Sequence, residues 1–83
     1  MRVTVKLYAN LADWLPPGTK GNAVDVDVPD AACVGELIDQ FRLPAPLTHL
    51  VLVNGNFVPR EARPTWRLKD GDHLAVWPPI AGG

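Results

Sequence analysis

The residues of this chain best suited to chemistry are its last seven, Trp77-Pro78-Pro79-Ile80-Ala81-Gly82-Gly83. They end in two glycines and a free carboxylate. We expect Gly83 to be the natural terminus, since the chain starts at Met1 and carries no visible tag. At average glycine usage, two terminal glycines arise by chance in roughly 0.5% of chains, so a merely frayed end is a poor explanation of them. A narrow tunnel can admit the backbone of Gly82 and Gly83 and bring a reagent close to the terminal carbonyl, whereas a side chain at either position would block it. The paired prolines favour an extended path. Six residues at about 3.1 Å each reach roughly 19 Å beyond Trp77, far enough to enter another protein's active site. A carboxylate is a poor electrophile and must become something like an acyl-adenylate before a nucleophile attacks it, so the tail calls for an ATP-using partner.

Composition bounds what carries this tail. Eighty-three residues make one small domain with a single core. A net charge of −1, with both signs scattered along the chain, offers no basic footprint for nucleic acid or anionic lipid. One cysteine excludes an internal disulfide. With no long apolar run and no secretory pattern at the N-terminus, the expectation is a cytoplasmic protein without a membrane span.

The elements that must position the tail follow from periodicity. Val3, Val5 and Leu7 alternate with Thr4, Lys6 and Tyr8, which predicts a first strand over residues 2–8 with one buried face. Residues 9–22 hold Pro16-Pro17-Gly18 and predict an irregular connection. Val24, Val26 and Val28, separated by Asp25 and Asp27, predict a second strand, antiparallel to the first, with its acidic face in water. Pro29-Asp30 opens the predicted helix, whose Val34, Leu37, Ile38 and Phe41 form an i, i+3, i+4, i+7 stripe; Asp30, or weakly Cys33, is its expected cap. Leu50–Val53 with Asn54-Gly55 and Asn56-Phe57-Val58 predict a hairpin. Residues 59–69 show no usable period, Asp70-Gly71-Asp72 is a turn, and residues 73–77 form a last strand, parallel to the first.

This order, together with Leu68-Lys69-Asp70-Gly71-Asp72, the strand Leu74-Ala75-Val76-Trp77 and the ending Pro78-Pro79-Ile80-Ala81-Gly82-Gly83, resembles the ubiquitin-like β-grasp sulfur carriers of the MoaD/ThiS family. The resemblance spans essentially the whole chain and is most specific over residues 68–83. It implies an α+β fold: a mixed four- to five-stranded sheet with one main helix on one face, formed by residues 1–77, and a flexible tail over residues 78–83. It also implies that Gly83 is adenylated by an E1-like enzyme at the cost of ATP and magnesium and then becomes a thiocarboxylate, with Gly82 as its steric partner. The sulfur source would be a sulfurtransferase or cysteine desulfurase, and the acceptor a synthase such as a molybdopterin-synthase large subunit. The protein itself would be no enzyme and hold no cofactor. Pro78-Pro79 and the chain length lean toward the molybdopterin type; thiamine thiazole formation, cysteine or methionine synthesis and tRNA thiolation are the other acceptor pathways. Cys33 departs from the Thr or Ser that commonly begins the family's helix, as Ala12 and Asp13 do from a basic residue after the first strand.

Other reactive residue types have structural explanations. Cys33 has no adjoining base, and His49 and His73 stand at spacings that make no zinc site, so no metal is assigned. Asp70 and Asp72 flank a turn glycine. Because Leu50–Val53 is apolar throughout, two of its side chains must face away from the helix, beside Ala75 and Trp77 and near Phe57. This second face, continuing into Pro78, Pro79, Ile80 and Ala81, is the expected partner surface. Two rival functions use the same residues: a ubiquitin-like modifier joined to lysines through Gly83, and a plain β-grasp interaction module.

Overall fold

Alternating burial confirms the strand assignments from the first residues onward. Val3, Val5 and Leu7 are essentially inaccessible while Thr4 and Lys6 are half-exposed. They lie on β1 (Arg2–Leu7), the first element of a computed structural model that describes residues 1–79. The remaining strands are β2 (Ala23–Asp27), β3 (Leu50–Val53), β4 (Asn56–Phe57) and β5 (His73–Trp77). They form one mixed sheet in the order β2-β1-β5-β3-β4. β1 pairs antiparallel with β2 and parallel with β5, which is also antiparallel to β3. The last strand therefore occupies the centre of the sheet.

The one α-helix among the described residues, α1 (Val34–Gln40), buries Val34, Leu37 and Ile38 against the sheet's inner face, where Val3, Val5, Leu7, Val51, Val53, Leu74 and Val76 are buried. Phe41 is the half-buried C-terminal cap rather than a fourth core position. The helix starts later than Pro29-Asp30 predicted, and neither expected side chain caps it. Ala31 adopts a positive φ of 67°, which interrupts any helix before residue 33. Asp30 instead meets the Met1 ammonium at 3.3 Å. Cys33 holds the N-cap backbone position without a side-chain hydrogen bond and is buried. The first amides are satisfied from elsewhere: Val34 N–H donates to the Trp66 carbonyl at 3.0 Å and Gly35 N–H to the Arg63 carbonyl at 2.9 Å. A Cβ on Gly35 would lie 3.3 Å from the same Arg63 carbonyl, so glycine here permits the loop to close on the helix.

The connections are short 3₁₀ turns, at Ala9–Trp14, Ala45–Leu47 and Arg60–Ala62. The hairpin turn has positive φ at both Asn54 (50°) and Gly55 (82°), as a type I′ turn demands. Gly71 likewise sits at φ 86°. Asp70 and Asp72 act as turn acceptors: Asp70 Oδ1 takes the Arg2 amide at 2.7 Å, and Asp72 takes the Lys69 amide and the Asn54 side-chain amide, each at 2.8 Å. No helix is long and apolar enough to cross a membrane among the described residues.

Candidate functional site: the open sheet face and the root of the tail

Among the described residues no α-helix covers the outer face of the sheet, and register fixes its composition. Leu50 pairs with Trp77, Leu52 with both Ala75 and Phe57, and Lys6 with Ala75. Leu50, Leu52, Ala75 and Trp77 are half-buried, and Phe57 is 58% exposed. One half of the face is therefore apolar, running from the short edge strand to the centre. The other half is polar: Arg2 Nε donates to Asp27 Oδ1 at 3.2 Å and Thr4 Oγ1 to Asp25 Oδ1 at 2.6 Å. The hydrogen bond to Asp27 raises the Arg2 guanidinium above its ordinary pKa.

Trp77 does face away from the helix, but it is less free than the alternation alone suggested. Tyr8 stacks on it with ring centroids 4.1 Å apart and planes 6° from parallel, leaving one indole face available. The parallel pairing of β1 and β5 produces this contact, since both rings leave their strands on the same side at the same end. The signal was present in the sequence, in Tyr8's place on the outer face of the first strand.

The main chain at the tail root is also fixed. Tyr8 N–H donates to the Val76 carbonyl at 3.1 Å and His49 N–H to the Trp77 carbonyl at 3.0 Å. Pro78 is buried, so the body runs one residue past Trp77, and this proline offers little surface to a partner; Pro79 is exposed. Ile80, Ala81, Gly82 and Gly83 lie outside the described residues. The structure thus brings Phe57, Ala75 and Trp77 onto one face that ends where the tail departs. Among the described residues, no three His, Cys, Asp or Glu side chains converge as a metal site would require.

Sequence reasoning passed over a second constellation, on the helix side. Arg63 is buried, with Nη1 donating to Thr48 Oγ1 at 2.8 Å and Nη2 to the Thr48 carbonyl at 2.7 Å. Residues 59–69 carry no periodic signal that would have marked it.

The sequence matches the Mut7-C ubiquitin family over residues 1–81. The chain belongs to this family. Its fold is that of the ubiquitin-like β-grasp proteins of the MoaD/ThiS group. Among solved structures it is similar to SAMP1 of Haloferax volcanii, at 28% identity and a TM-score of 0.73, and to the thiamine biosynthesis protein ThiS of Geobacter metallireducens, at 25% and 0.67; each match covers 100% of both chains. Subunits 1 and 2 of the molybdopterin-converting factor of Helicobacter pylori form a complex that matches at 20% identity and 0.60, again over 100% of both chains, a likeness of fold alone. No curated protein matches the sequence closely.

Proposed function

We propose that this protein is a carrier whose C-terminal carboxylate is the reacting group and whose partners supply the catalysis. An E1-like enzyme with ATP and magnesium converts the Gly83 carboxylate to an acyl-adenylate with release of pyrophosphate. The terminal sulfur of a persulfide on a sulfurtransferase or cysteine desulfurase then attacks the acyl carbon and displaces AMP, and a thiol reductant cleaves the resulting acyl disulfide to leave the thiocarboxylate. Its charge sits largely on polarisable sulfur, which makes it a good nucleophile toward an acceptor bound by a synthase. The observation that supports this reading is the continuity of the apolar half-face with the tail root: Phe57, Leu52, Ala75, Leu50 and Trp77 line up toward Pro79. That is the arrangement expected of a surface that docks while the terminus is handled. Likeness to the thiamine biosynthesis protein ThiS supports the carrier role. Pro78-Pro79 favours the molybdopterin-type acceptor.

The test is ATP–pyrophosphate exchange by candidate E1-like enzymes. Exchange should require this protein and disappear when Gly83 is deleted. Exchange that never depends on it would leave only a β-grasp interaction module. Similarity to SAMP1, a small archaeal modifier protein, favours a second reading in which the same activated glycine joins lysines. Intact-mass measurement of the protein from cells separates the two: a carrier gains the mass difference of sulfur for oxygen, whereas a modifier appears in branched lysine adducts.

A further inference from the structure

A cavity lies on the helix side of the sheet, apart from the open face, with a volume of about 470 Å³. Arg63 and Arg60 enter it from the loop after β4, Thr48 from the segment before β3, and Glu36 and Asp39 from α1, while Ile38 and Leu43 give it an apolar wall. Arg63 is only 7% exposed, yet no carboxylate lies within ion-pair distance of its guanidinium among the described residues. Two of its five N–H donors go to Thr48, and Nε, fully buried, has no partner among the described residues. Arg60 adds a second guanidinium on the same carbonyl, its Nη2 donating to Thr48 O at 3.1 Å. Burial and the neighbouring Arg60 both lower the Arg63 pKa, as expected for a cation without a counter-ion.

A buried, unpaired cation with an orphaned donor is costly unless something negative completes it. The cavity also limits what that can be. Glu36, paired with Arg67 at 3.6 Å, and Asp39 add negative charge to the lining and disfavour a dianion, while the planar guanidinium fork matches a carboxylate and the Ile38–Leu43 wall matches a small hydrocarbon body. We propose that this cavity is a carboxylate-binding site that seats an acidic group carrying a short apolar body on Arg63 and Arg60. Its position suggests a polypeptide source. Thr48 adjoins His49, whose amide holds the Trp77 carbonyl, so the main chain links this seat directly to the tail root. The inference goes beyond the carrier reading and stands whether or not Gly83 is activated.

The experiment is an NMR titration of the full chain, following the Arg63 Nε–Hε resonance and the Gly35 and Thr48 amides. The probes are sodium isovalerate, the capped peptide acetyl-Leu-Glu-Leu-amide and inorganic phosphate, all at constant ionic strength. Saturable shifts at those three groups with isovalerate or the peptide are expected. Arg60→Gln, at an exposed residue that leaves the core intact, should weaken binding about fivefold, the equivalent of about 1 kcal/mol. Neutralising the rim with Glu36→Gln and Asp39→Asn should tighten it about threefold, an effect that a purely structural Arg63 would not give. Tighter binding of the peptide than of isovalerate assigns a polypeptide source, and equal binding a free acid; both uphold the site. Absence of saturable shifts, tighter binding of phosphate than of isovalerate, or no response to either variant would overturn it.

Discussion

At the scale of single residues, Tyr8 and Trp77 shape the open face at the root of the tail. Their parallel stack gives Trp77 a fixed orientation before any partner arrives, which lowers the entropy lost on docking. Trp77→Ala should weaken binding to the activating enzyme by about thirtyfold, corresponding to about 2 kcal/mol for a buried aromatic anchor; unchanged affinity in a folded variant would remove Trp77 from the interface. Tyr8→Ala should cost about 1 kcal/mol in denaturant-induced unfolding, measured with Trp77 fluorescence as one probe. Cys33 shows where residue-level inference stopped. Its N-cap position was legible, but its near-complete burial was not, because the burying segment, residues 63–67, has no pattern of its own. With the Val34 and Gly35 amides already taken, a hydroxyl at position 33 has only the Glu36 amide to accept from. Cys33→Thr should therefore raise stability by no more than about 0.5 kcal/mol, and a clear drop in Tm would mean that the sulfur's packing outweighs the cap.

At the scale of elements, everything governed by a strict period or a turn with positive φ was legible: five strands, the hairpin at Asn54-Gly55 and the Gly71 turn. The helix start was not, because Pro29-Asp30 looks like a beginning, while the actual first turn depends on carbonyls about thirty residues later. Such non-local capping leaves no trace in a sequence window. The hairpin illustrates a second hidden link. Asn54 Nδ2 donates to Asp72, and the His73 amide donates to Asn54 Oδ1 at 2.8 Å, tying the turn to the entry of β5. Gly55→Ala should destabilise the protein by about 1–2 kcal/mol through left-handed backbone strain, with nothing around the site to add a clash. A loss well below this range in equilibrium unfolding would show that the turn relaxes to another type.

For the whole molecule, Val76 is the last buried hydrophobic of the core among the described residues, and the carrier reading puts the reacting group seven residues further on. Deleting Gly83, or substituting Gly82→Ala, should leave Tm unchanged while abolishing sulfur transfer in a reconstituted assay; a drop in Tm would show that the terminus packs on the body, and retained transfer would end the carrier reading. The reading of Gly82 and Gly83 falls outside the described residues, and the arginine cavity was invisible in the sequence because it assembles from three separate segments. The central position of β5 also has a mechanical meaning. A partner drawing on the tail pulls along a strand flanked on both sides, by β1 in parallel and by β3 antiparallel, so the load falls on both ladders in shear at once rather than opening them bond by bond. The root of the tail is thus held at the centre of the sheet, where a pull must load two ladders together.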